Sequence, residues 1–128
     1  MQIAITGLPR SGKTTLFNAL TGSSVPVGDY AGRASPNIAR ARVPDARLDT
    51  LAEMFEPRPP VYAEVTYVDL PGPPPGAPDE GLFSGEALNL VQQADAVLHV
   101  VRAFDNDAVP HQKGGVDWRR DVSDVGFD

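Results

Sequence analysis

The chain has 128 residues, 41% of them hydrophobic and 22% charged, which suits one globular domain with enough apolar material for a core. It contains no cysteine, so disulfides and thiolate metal sites are excluded, and a reducing, cytoplasmic setting is expected. No stretch reaches the length of a membrane span, and a net charge of −6 argues against a general nucleic-acid coat, so neither a membrane nor DNA is an expected partner.

Gln2 to Thr6 is a short apolar run that ends at a glycine loop and reads as a buried strand. Lys13 to Leu20 favours helix, with Leu16, Phe17 and Leu20 on one face and Gly22 as its stop. The stretch 22–36 holds Gly22, Pro26, Gly28, Gly32 and Pro36 and reads as a long loop of the functional kind. From Asn37 to Val43, Ile38, Arg40 and Arg42 alternate with Ala39, Ala41 and Val43, the pattern of an edge strand with one wet face. The arginines from Arg33 to Arg58 are interleaved with Asp45, Asp49, Glu53 and Glu56. A solvated mixed-charge face is the expectation there, with an RNA or ribosome contact as the alternative.

Asp45 fits the N-cap of a helix that carries Leu48, Leu51, Ala52 and Phe55 at helical spacing and ends at Pro57, Pro59 and Pro60. Val61 to Val68 alternates as a strand, with Val61, Ala63, Val65 and Tyr67 on one face. The proline-rich run from Leu70 to Pro78 cannot be helix or inner strand. Gly81 to Ala94 is helical in period through Leu82, Ala87, Leu88 and Val91. Ala96 to Val101 is almost continuously apolar and predicts a parallel strand covered on both faces, in which His99 reads as a satisfied core histidine. After Ala103 the chain is acidic and glycine-rich with no clear period. The order of elements predicts an α/β fold: a mixed, mostly parallel sheet of about four strands with helices on both faces, in three layers.

Gly7-Leu8-Pro9-Arg10-Ser11-Gly12-Lys13-Thr14 meets the spacing G-x-x-x-x-G-K-[ST]. Gly7 and Gly12 let the backbone wrap closely, so that several N–H groups point inward as an anion nest. The helix that follows adds its positive end. Lys13 supplies a full charge to the β- and γ-phosphates, and the Thr14 hydroxyl is a ligand for Mg²⁺. A chance glycine turn need not have a strand before it and a helix after it, and both are predicted here. The pattern marks a P-loop NTPase fold that binds a nucleoside triphosphate, GTP or ATP, with magnesium.

Asp69-Leu70-Pro71-Gly72 closes the later strand as D-x-x-G. There Asp69 is expected to hold Mg²⁺ through water, and the Gly72 N–H to sense a γ-phosphate. The candidate nucleotide-binding residues are then Gly7, Pro9, Arg10, Ser11, Gly12, Lys13, Thr14, Thr15 and Gly72, and the metal candidates are Thr14 and Asp69. Small GTPases place a water-orienting glutamine after that glycine, whereas this chain has Pro73, so hydrolysis needs another group or is slow. Besides Lys13, His111 is the catalytic candidate, to position water. An exposed loop histidine is the alternative.

These motifs resemble the YchF subfamily of Obg-related P-loop NTPases along nearly the whole chain. The match runs through Gly7-Leu8-Pro9, Gly12 to Thr21, Pro36-Asn37, Val43-Pro44-Asp45, Arg47-Leu48-Asp49, Val68 to Gly72 and Ala94 to Phe104. The resemblance implies a nucleotide switch of the translation-factor class, using ATP or GTP, with the ribosome or rRNA as partner. It also implies a substitute for the missing glutamine in a histidine of the loop holding His111. The family's switch I threonine has its nearest counterpart here in Ser35, a hydroxyl for Mg²⁺. The chain ends at Asp128 before any base-recognition motif. Residues 1–128 are therefore expected to be the N-terminal part of one G domain, without its base-recognition half or any helical or C-terminal domain. A nucleotide-binding interaction module that does not hydrolyse is the competing function. A P-loop kinase is a third, though no hairpin with lid arginines is evident.

Overall fold

The structure, a computed structural model, describes residues 1–27, 35–55, 59–72, 85–111 and 113–124. Among these residues, four strands and four helices follow in the order β1 (Gln2–Thr6), α1 (Lys13–Thr21), β2 (Asn37–Arg42), α2 (Ala46–Met54), β3 (Glu64–Asp69), α3 (Glu86–Gln93), β4 (Ala96–His99) and α4 (Trp118–Asp124). The sheet runs β2-β3-β1-β4, with β1 parallel to both neighbours and β2 antiparallel to β3. This is the expected mixed, mostly parallel sheet.

Burial sets the layers. Ala4, Val68 and Leu70 are buried together, and Ala87, Leu90, Val91 and Ala94 of the α3 region pack on them. The α1 helix lies on β1, β2 and β3 and buries Phe17. Its end is set by Gly22, whose left-handed conformation lets its N–H donate to the Asn18 carbonyl over 2.9 Å. Asp45 caps α2 as expected, its carboxylate accepting from the Arg47 N–H over 3.0 Å. The Tyr62 hydroxyl ties α2 to the segment before β3 by donating to Asp49. On β2, Ile38, Arg40 and Arg42 are exposed and Asn37, Ala39 and Ala41 half-buried, the wet-faced edge strand that alternation predicted.

Several expectations are corrected. The third strand begins at Glu64, not Val61, and Val61 is 87% exposed. The ladder to β2 ends where the Val43 N–H donates to the Ala63 carbonyl, and the chain then turns through Pro44 to the α2 cap at Asp45. Along α2, Leu48 and Ala52 are half-buried while Leu51 and Phe55 face outward. In α3, Leu90 takes the inward place expected of Leu88, which is exposed, and Gly81 and Leu82 lie outside the described residues. Strand β4 is parallel but not covered on both faces. It ends the strand order, and Val97 and Leu98 remain 40% and 36% exposed. His99 is half-buried, and its Nε2 is enclosed without a hydrogen-bond partner, so it is not a satisfied core histidine. Burial lowers its pKa and keeps the ring neutral.

Helix α4 was not expected. Its signal was nevertheless present in the sequence. Asp117 caps it, the carboxylate accepting from Arg119 N over 3.1 Å and Arg120 N over 3.2 Å. No helix among the described residues is long and apolar enough to cross a membrane.

Candidate phosphate and cation site

The turn from β1 into α1 brings the glycine pattern to the end of the sheet. Val100 N–H donates to the Thr6 carbonyl over 2.8 Å, so the chain beyond β4 lies against the point where the loop begins. A Cβ on Gly7, whose φ is +150°, would stand 2.3 Å from the Val100 carbonyl oxygen. The loop then turns through left-handed Arg10 (φ 62°) and Gly12 (φ 98°). Ser11 N–H closes the turn on the Leu8 carbonyl over 3.3 Å, and Leu16 N–H to Gly12 over 2.9 Å starts the helical ladder. Gly12 caps α1 with no side chain, which leaves the helix's first N–H groups to a ligand.

Lys13 is 7% exposed, and its ammonium donates to the carbonyls of Gly7 and Leu8, both over 2.9 Å. The cation is thereby held over the loop rather than extended into solvent. Next to it, the Thr14 hydroxyl donates to Asp69 Oδ2 over 2.8 Å. Asp69 is fully buried at the end of β3, where it pairs with Ile5 of β1 on one side and Asn37 of β2 on the other. Gly72 comes up against the loop itself: a Cβ on it would stand 2.8 Å from Pro9 Cγ. The glycine loop and the D-x-x-G segment, far apart in sequence, are therefore in contact.

The remaining candidates fall in different places. Ser11 is buried, with its Oγ turned inward towards Gly7 and lacking a hydrogen-bond partner. Thr15 and Arg10 are exposed, and Arg10 also donates to the Pro110 carbonyl over 3.1 Å. Ser35 is exposed, and from this segment it is Asn37, not foreseen in the sequence, whose amide reaches Asp69 Oδ2, over 3.1 Å.

His111 is not an exposed loop histidine. Its side chain is 6% exposed, and Nε2 pairs with Asp121 Oδ2 over 2.8 Å. Nδ1 accepts from the Lys113 N–H over 3.1 Å, which makes Nε2 the protonated nitrogen. With both nitrogens engaged, the ring has none left to orient a water in this arrangement. A second buried group that the sequence did not flag, Arg102, anchors the same loop. It donates to the carbonyls of Phe104 over 3.0 Å and Val109 over 2.7 Å, with a long 3.5 Å contact to that of Arg10.

Burial alone raises the pKa of the Asp121 carboxyl, but hydrogen bonds from Arg120 and His111 outweigh it and bring the group below the ordinary carboxylate range. A carboxylate lowered on folding adds stability above its unfolded pKa of about 4, and that stability is lost as pH falls through the lower folded value. Acidification below about pH 4 should therefore free α4 from His111. The fluorescence of Trp118, the one tryptophan, reports it. An Asp121→Asn variant should lack that part of the transition; an acid profile matching wild type would remove Asp121 from this role.

Comparison with known proteins places this geometry. Residues 2–121 match the model of a family described as 50S ribosome-binding GTPase. The chain is 36% identical over 122 residues to the ribosome-binding ATPase YchF of Haemophilus ducreyi, covering 94% of this chain and 34% of that protein. It is 38% identical over 129 residues to Obg-like ATPase 1 of Oryza sativa subsp. indica, covering 98% of this chain and 32% of that one. Among solved structures it is similar to the YchF GTPase of Schizosaccharomyces pombe, with a TM-score of 0.66 and 37% identity over 96% of this chain and 33% of that chain. It spans about one third of the length of the relatives it matches.

Proposed function

This chain belongs to the 50S ribosome-binding GTPase family, on the branch of YchF and the Obg-like ATPases, and from that premise we propose that it supplies the phosphate- and cation-binding half of an ATP- or GTP-hydrolysing switch. The observation that carries the reading is the junction of Lys13, Thr14 and Asp69: a buried ammonium beside a hydroxyl already bonded to a buried carboxylate. In this reading the loop amides, the α1 N-terminus and Lys13 hold the triphosphate, and the N–H of Gly72, which packs on Pro9, is the proposed contact for the γ-phosphate.

The residues fit Mg²⁺. A hydroxyl that donates to Asp69 keeps its lone pairs for a cation, and both side chains offer hard oxygen. No cluster of three or more acidic or histidine side chains occurs among the described residues. The coordination would thus be completed by phosphate oxygens and water, as Mg²⁺ sites ordinarily are. Thr14 would ligate directly and Asp69 through water, with Ser35 as a further hydroxyl. The ion's chemistry there is to neutralise charge on the β- and γ-oxygens. The ribosome or its RNA is the proposed partner, in the cytoplasm.

Titration with fluorescent ATP and GTP analogues tests this reading. Affinity is expected to rise at least about tenfold with Mg²⁺ and to differ less than about tenfold between the bases, since the residues proposed here meet the phosphates and the cation rather than the base. Affinity indifferent to Mg²⁺ would count against the site. A non-hydrolysing module is the second reading, favoured by Pro73 and by the clasped ring of His111. Multiple-turnover phosphate release equal to that of a Lys13→Ala variant would select it.

A further inference from the structure

Asn37 opens β2 and stands directly across from Asp69 in the antiparallel register. Opposed residues of such a pair present their side chains to the same face, so amide and carboxylate meet beside the glycine loop. Asn37 Nδ2 donates to Asp69 Oδ2 over 3.1 Å, and Thr14 Oγ1 donates to that same oxygen over 2.8 Å. One carboxylate oxygen has room for two donors, and here they come from two different elements, β2 and α1. The direction of the amide follows from chemistry. Turned the other way, its carbonyl oxygen would face a carboxylate oxygen, and two acceptors repel.

We infer that Asn37 is a positioning residue for the divalent-cation site: it holds the Asp69 carboxylate in the one orientation that aims it, together with Thr14, at a shared cation. The inference rests on the reading of Thr14 and Asp69 given above. Asn37 acts only through Asp69. With the amide present, rotation of the carboxylate breaks bonds to two elements at once. Without it, the carboxylate loses one of the bonds that oppose rotation, and the Thr14 hydroxyl can follow a swinging carboxylate by turning its own proton. Outer partners of this kind typically account for about 10–100-fold in metal affinity.

The test is a Mg²⁺ titration of the whole chain at a fixed concentration of a fluorescent ATP analogue. Asn37→Ala is expected to raise the half-saturating Mg²⁺ by about tenfold or more while affinity in excess EDTA stays within about twofold of wild type. Asn37→Gln, which keeps the amide, should recover part of the loss. Ala39→Gly loosens the same strand without touching Asp69, and its Mg²⁺ midpoint should not move. If Asn37→Ala does not fold, Asn37→Leu carries the same expectation, being close to the amide in shape and lacking a donor. An unchanged midpoint in the donor-less variant, or an equal rise in Ala39→Gly, overturns the inference. In either case a loss of Mg²⁺ dependence in Thr14→Ala leaves the cation site itself standing. A wild-type chain indifferent to Mg²⁺ overturns both.

Discussion

Replacing Gly7 by alanine is expected to cost this chain about 2–6 kcal/mol of folding stability, a large fraction of the roughly 5–15 kcal/mol that holds a native protein folded. The estimate has two parts. The backbone at φ +150° is strained for any residue with a side chain, which adds about 1–3 kcal/mol. The added methyl group would also stand 2.3 Å from the Val100 carbonyl oxygen, and overpacking of that sort adds about 1–3 kcal/mol. Neither side can yield cheaply. Gly7 follows directly on β1, Val100 on β4, and the two are locked by the Thr6–His99 pairing and the bond from Val100 N–H to the Thr6 carbonyl. Gly12→Ala is the informative companion. Its φ is +98°, but nothing lies within 4 Å of the new Cβ, so it should lose only the strain contribution. Urea unfolding followed by Trp118 fluorescence and circular dichroism measures both. Equal, small losses would show that the close approach to Val100 does not govern this position.

The contrast between those glycines shows what could be read from the sequence and what could not. Gly7, Gly12, Lys13 and Thr14 were legible because the chemistry of a phosphate loop is written in consecutive residues, and Asp69 because a D-x-x-G segment follows its strand. Asp45 and Gly22 were legible for the same reason, as helix caps act over a few positions. The tie between Asn37 and Asp69 spans 32 residues and exists only through the β2–β3 register, which no local pattern encodes. Arg102 was invisible in another way. Its partners are backbone carbonyls, and a carbonyl carries no residue code. His111 was misjudged because its burial depends on Asp121 in α4, a helix of 7 residues in a stretch whose acidic composition hides its period. The exposure of Val97 and Leu98 likewise follows from the place of β4 in the strand order, whereas an apolar run signals only that a strand tends to be covered.

Lys13→Ala is the second large effect, and it should fall more on binding than on folding. In the folded chain the ammonium donates to two buried loop carbonyls, and its removal leaves those acceptors short of a donor. The expected stability cost is therefore about 1–3 kcal/mol. The effect on a bound triphosphate is larger. Charge-assisted hydrogen bonds contribute about 1.5–3 kcal/mol each, and a lysine placed between two phosphates makes more than one. Affinity for the Mg²⁺ complex of ATP or GTP should then fall by about 10²–10³-fold, at about 1.4 kcal/mol for each factor of ten. Lys13→Met keeps the aliphatic stem without the charge and should fall as far, which separates the charge from the packing. Lys13→Arg should recover only part, since a planar fork cannot sit where a compact ammonium is held by the Gly7 and Leu8 carbonyls. Calorimetric titration, paired with thermal unfolding of each variant, reads both quantities. If Lys13→Ala loses less than about tenfold in affinity, the loop amides and the α1 N-terminus carry the phosphates without it. If instead stability falls in step with affinity, Lys13 is a structural strut of the loop and the charge argument fails.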